Sequence, residues 1–93
     1  MIQEKARMFE LGQILITPAA QCKIDSQDVM KALGRHISLD WGDVCAEDWE
    51  ANQLALQEED RLFSVYHDSN KTKFWIITEA DRSATTILLP EDY

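Results

Sequence analysis

Three segments in the last third of the chain leave few choices of fold. Arg61–Asp68, RLFSVYHD, alternates, with Phe63, Val65 and His67 on one side and Leu62, Ser64 and Tyr66 on the other, the two-residue period of a strand. Asp68, Ser69 and Asn70 supply turn chemistry. Lys71–Thr78, KTKFWIIT, is then a denser apolar run, as expected of a central strand buried on both faces. A second reversal through EADRSA leads to TTILLP, closed by Pro90. Strands joined by such short reversals predict a three-stranded antiparallel meander.

Upstream, Leu11–Thr17, LGQILIT, is a short apolar run with β-branched residues that Pro18 ends, and it reads as a first strand. A polar spacer, PAAQCKID, follows. Ser26 is a good N-cap for a helix over Gln27–Ile37, with Asp28 in its first turn and Val29, Leu33 and Ile37 spaced to share a face. Gly34 weakens it or admits a close neighbour. A second helix is expected over Ala46–Glu59, where Glu47, Asp48 and Glu50 enrich the first turns that the helix dipole favours for negative charge. The order β-α-α-β-β-β predicts an α+β fold. Its small antiparallel sheet consists of the C-terminal meander plus the N-terminal strand, with two helices packed on one face. No repeat or Gly/Ser linker divides the 93 residues, so residues 1–93 are expected to form a single domain.

The chain carries 17 acidic and 9 basic side chains, for a net charge of −8. All of that excess lies between Leu39 and Asp60, which hold Asp40, Asp43, Glu47, Asp48, Glu50, Glu58, Glu59 and Asp60 and no Lys or Arg. A neutral scaffold with one acidic segment points to a charged partner. Asp40, Asp43, Glu47, Asp48 and Glu50 are therefore candidate partner-binding residues, with Trp41, next to Gly42, as a candidate exposed anchor. The plainer alternative is a solvated helix carrying its charges outward. A pI near 4.5 disfavours direct nucleic-acid binding, which needs clustered cations, and favours a basic protein as the partner.

The connection Thr78–Thr86 is the second feature with chemical content. It has no Gly at its tip yet gathers two carboxylates, a guanidinium and several hydroxyls. Glu79 or Asp81 could serve as a base, Arg82 could hold an anion and Thr85 could orient a ligand, which would make a small enzyme or ligand-binding domain. Alternatively Asp81 and Arg82 satisfy backbone groups in a long hairpin. His36 and His67 are the only imidazoles, without metal-ligand spacing; a surface or capping role is expected for His36, which Asp40 follows by four, and strand-surface exposure for His67. Asn52 lies on the apolar side of the acidic helix and needs a partner, either a loop backbone or the polar site around Arg82.

No P-loop, GxGxxG, GxSxG or HExxH is present, so no cofactor or catalytic family is indicated. Cys22 and Cys45 lack CxxC spacing and are expected to be reduced thiols. The chain has no apolar run of the ~18 residues that a membrane helix requires and no signal-peptide pattern, which points to a cytosolic protein. Edge strands of a four-stranded sheet leave a homo-oligomer open.

The block WIITEADRSATTILLPEDY, with WGD of the acidic loop and the DRLFSVY strand, resembles a family of small proteins carried on plasmids and other mobile elements of proteobacteria, sometimes labelled relatives of the type I restriction M subunit. That label does not suit this chain, which has no Gly-rich cofactor loop and is too short for a methyltransferase domain. The resemblance implies a mobile-element setting, where small acidic proteins inhibit host defence by imitating DNA. An antitoxin-like component is a further alternative.

Overall fold

The computed structural model describes residues 9–93. Four strands, β1 (Gln13–Ile16), β2 (Leu62–His67), β3 (Lys73–Thr78) and β4 (Ala84–Leu88), form one sheet in the order β1-β4-β3-β2. Helices α1 (Pro18–Lys23), α2 (Ser26–Ile37) and α3 (Ala46–Glu58) connect β1 to β2, and a 3₁₀ turn (Pro90–Asp92) ends the chain. This is the expected α+β fold, a C-terminal meander plus an N-terminal strand, and β3 takes a central position. The sheet is mixed, because β1 runs parallel to β4 while the other pairs are antiparallel.

Among the described residues three α-helices are present where two were expected. The segment read as a polar spacer contains α1, and the signal lies in Thr17-Pro18. Thr17 is the N-cap, its hydroxyl accepting from the Ala20 N–H at 3.2 Å, and Pro18 occupies the first helical turn, where its missing N–H costs nothing. The cap of α2 is Asp25 rather than Ser26, with Oδ1 accepting from the Gln27 N–H at 2.8 Å.

The alternation of β2 is realised as read. Leu62, Ser64 and Tyr66 face the helices together with Phe74, Ile76 and Thr78 of β3 and Thr85 and Ile87 of β4, and all are buried. The main core joins Tyr66, Phe74, Ile76, Ile87 and Leu89 to Ala20 and Ile24 of the α1 region and to Val29, Ala32 and Leu33 of α2. A smaller cluster under α3 holds Trp41, Ala55 and Leu62, with Phe9, Leu39, Val44 and Leu56 packed against it. On the opposite face, Phe63 meets Trp75 edge-on at 5.1 Å, and Trp75 meets Tyr93 at 5.8 Å. These rings, with Arg61 and Ile77, line a hollow of about 280 Å³.

The outer edge of β2 is closed by the acidic segment itself. The Asn52 amide donates to the Phe63 carbonyl at 2.7 Å and accepts from the Phe63 N–H at 3.0 Å, replacing a neighbouring strand at that residue. Two residues on, the Val65 N–H donates to the Trp41 carbonyl at 3.1 Å and its carbonyl accepts from the Asp43 N–H at 2.7 Å. Gly42, at φ 77°, makes this approach possible, because a Cβ there would collide with the Val65 carbonyl oxygen and the Tyr66 ring.

Candidate functional site

The candidate site is the outward face of α3. The helix starts at Cys45, which provides no side-chain cap, and Glu47 and Asp48 in the first turn supply negative charge where the dipole favours it. Only Asn52 and Ala55 are buried, with Leu56 half-buried. Glu47, Glu50, Leu54 and Glu58 recur at helical spacing on the solvent side, and Leu54 is 54% exposed between the acids. Glu58, Glu59 and Asp60 crowd the other end, which has no basic residue in its last turn.

Acids at a helix C-terminus oppose its dipole, and like charges three or four residues apart repel by a few tenths of a kcal/mol per pair. Among the described residues Glu47, Asp48, Glu50, Glu58, Glu59 and Asp60 have no ion-pair partner. The C-terminal end of α3 is therefore locally unfavourable, and it relies on ties made elsewhere.

Arg82 makes the principal tie. Its guanidinium donates to the Asp60 carbonyl at 2.6 Å and the Ala55 carbonyl at 3.2 Å, capping α3 from the β3–β4 hairpin, and also to the Glu79 and Ala80 carbonyls at 3.1 and 3.2 Å. The φ of 60° at Arg82 aims the side chain back across its own turn. Arg82 is thus a cap for backbone carbonyls, the structural alternative read for it in a long hairpin.

The rest of the proposed ligand loop is likewise engaged in structure. The strands shorten it to Glu79–Ser83, and Thr85 lies within β4. Thr85 is fully buried, its hydroxyl donating to the Leu11 carbonyl at 2.7 Å, so it cannot orient an external ligand. Glu79 pairs with Arg61 at 3.5 Å. Asp81 accepts from the Ser83 N–H at 3.0 Å, and the Ser83 hydrogen bonds hold its carboxyl below the usual carboxylate range. The polar composition of this hairpin serves the turn and the end of α3.

The acidic loop divides. Asp40 is half-buried and forms a two-point ion pair with Arg35, at 2.8 and 3.4 Å, while its Oδ1 accepts from the Gly42 N–H. The Arg35 hydrogen bond holds the Asp40 carboxyl below its ordinary range. Its charge is neutralised locally, so Asp40 leaves the set of available acids. Asp43 is exposed, with Oδ2 2.8 Å from His67 Nδ1. Trp41 corrects the expectation of an exposed anchor. It is fully buried, its indole N–H donates to Gln53 Oε1 at 3.0 Å, and its ring packs against His36 and Phe9. The exposed tryptophan is Trp49, 36% accessible on the flank of α3.

Behind Trp41 lies a polar chain that was not anticipated. His36 is fully buried rather than at the surface, with Nδ1 2.6 Å from the Ser64 hydroxyl and Nε2 2.9 Å from that of Thr78. The Thr78 hydroxyl lies 2.8 Å from that of Thr85. Since Thr85 donates to a carbonyl, Thr78 donates to Thr85, His36 Nε2–H donates to Thr78, and Ser64 donates to His36 Nδ1. A neutral imidazole satisfies every link, with Nε2–H as donor and Nδ1 as acceptor. Burial, helped by the Arg82 charge, lowers the His36 pKa to about 3. The alternating residues of β2 and β3 placed Ser64 and Thr78 on the inward face, but nothing local in the sequence marked His36 as their partner.

Among the described residues, no group of three His, Cys, Asp or Glu side chains could hold a metal ion, and no helix is long and apolar enough to cross a membrane. No family model matches the chain, and neither a curated protein nor a solved structure matches it.

Proposed function

We propose that the protein is a non-catalytic acidic interaction module whose α3 face, Glu47, Asp48, Glu50, Leu54 and Glu58, engages a basic, nucleic-acid-handling protein. The observation that carries this is the contrast between the paired acids Asp40 and Glu79 and the α3 carboxylates, which have no counter-ion among the described residues and are arrayed on the exposed side of one helix. Such a row attracts a cationic surface over long range and imitates, in charge, a run of phosphates. Leu54, exposed within the row, adds an apolar contact that phosphate would not supply. The mobile-element resemblance supports the same interpretation, as an inhibitor of a host nucleic-acid-binding protein. Cys22 and Cys45, both exposed and unpaired thiols, suit the reducing cytoplasm.

The test is capture of partners on immobilised protein at low salt, comparing the natural sequence with Glu47→Gln/Asp48→Asn/Glu50→Gln. The expected result is a basic protein retained by the natural sequence alone and displaced by duplex DNA. Equal retention by the neutralised variant removes α3 as the docking face.

A further inference from the structure

The two edges of the sheet are treated differently. The β2 edge is closed by Asn52 and the Trp41–Asp43 loop, whereas no described residue pairs with the outer edge of β1. The Gln13 N–H donates to the Ser83 carbonyl and the Thr17 N–H to the Ile87 carbonyl, so odd-numbered residues of β1 face β4. Ile14 and Ile16 accordingly direct both their N–H and C=O groups outward. This edge is short, at four residues, but carries no Lys, no Pro and no bulge.

The side chains beside it are apolar. Ile14 is 50% exposed, Leu15 42% and, on the adjoining helix, Met30 66%. Ile16, Ile24, Val29 and Met30, together with the polar Gln21 and Ser26, line a groove of about 260 Å³ next to the strand, on the helix side where Ile14 also points. Charge decides what can occupy this edge. Leu11–Cys22 contain no charged side chain, in a protein of net charge −8. A cationic partner finds no attraction here, whereas a second copy, repelled elsewhere, meets its twin without opposing charge.

We propose that β1 is a self-association edge, at which two copies pair antiparallel about a two-fold axis at Leu15 to give one eight-stranded sheet. Outward-facing Ile14 and Ile16 then lie opposite Ile16 and Ile14 of the other copy. Each pair exchanges two backbone hydrogen bonds, four in all. Leu15 meets its own counterpart on one face, and on the other Ile14 enters the groove of Ile16, Ile24 and Met30 in its twin. The register is self-complementary and leaves both α3 helices at the far ends of the joined sheet.

The register makes the proposal testable by cross-linking. In a Cys22→Ser/Cys45→Ser background, Leu15→Cys is expected to form a disulfide-linked dimer under mild oxidation, because its two copies face each other at a non-hydrogen-bonded position. Gln13→Cys, whose copies lie several residues apart, is not. Sedimentation of the natural sequence should show a concentration-dependent rise from 10.7 kDa towards twice that mass, strengthened by added salt, which screens the repulsion between two copies of net charge −8. Met30→Glu, at an exposed helical position, should shift it back to the monomer with the circular dichroism spectrum unchanged. A natural protein that stays monomeric at submillimolar concentration, or cross-linking equal at positions 13 and 15, overturns the proposal.

Discussion

At the scale of single residues, the fold depends on a few polar side chains that act on backbone or on one another in the interior. Asn52 is the clearest case, since one buried amide serves both backbone groups of Phe63. Replacing it by Ala leaves a buried N–H and C=O unpaired and should cost about 2–3 kcal/mol in chemical denaturation. His36 sets a pH dependence. Its folded pKa of about 3 lies below the ordinary 6.5, so between those values the unfolded chain binds the proton and the folded one does not. Stability is therefore complete above about pH 6.5 and falls as pH drops towards 3, by about 2–3 kcal/mol at pH 4.5. Unfolding free energies measured from pH 7 to 4.5 should show this slope, and His36→Gln should flatten it. The need for a partner to Asn52 was legible from its position on the helix. The burial of His36 was not, because its partners, Ser64 and Thr78, are 28 and 42 residues distant and are brought to it by sheet register.

At the scale of elements, α3 and the β3–β4 hairpin depend on each other. The helix lacks a cationic last turn, and Arg82 supplies one from another element. Arg82→Ala should lower stability by roughly 1–3 kcal/mol, as expected for losing charge-assisted hydrogen bonds, and should fray the end of α3 near Glu58 and Glu59 in amide exchange. Arg82→Lys should recover only part of this, because an ammonium lacks the planar fork that spans the Ala55 and Asp60 carbonyls. The three meander strands and the second and third helices were readable because hydrophobic period and turn chemistry agree there. The first helix was hidden by its brevity, and Thr17-Pro18 reads equally as the end of a strand and the start of a helix. The dense polar hairpin drew attention for a sound reason, but Arg82 turns to carbonyls of α3 and its own turn, Asp81 accepts from the Ser83 N–H and Glu79 pairs with Arg61, destinations that spacing along the chain does not reveal.

At the scale of the whole molecule, negative charge and apolar edge lie at opposite ends of the sheet. The acids concentrate along α3 beside β2, and the uncharged edge is β1. The concentration of charge was visible in the sequence, though its content was not: Asp40 is neutralised by Arg35 and Trp41 is buried, while Leu54 and Trp49 are the exposed apolar groups of the segment. Because Glu58 opposes the helix dipole and Glu50 repels Glu47 three residues away, Glu50→Gln/Glu58→Gln should leave stability equal or slightly higher, by up to about 0.5 kcal/mol, while weakening binding. That opposition between stability and binding separates an interaction face from a merely solvated one. The most direct measurement is the association rate with the captured basic partner as a function of ionic strength, for the natural sequence and for Glu47→Gln/Asp48→Asn/Glu50→Gln. A steep fall with salt for the natural chain and a slow, nearly salt-independent rate for the variant are predicted; identical salt dependence in the two would contradict the assignment of α3 as the docking face.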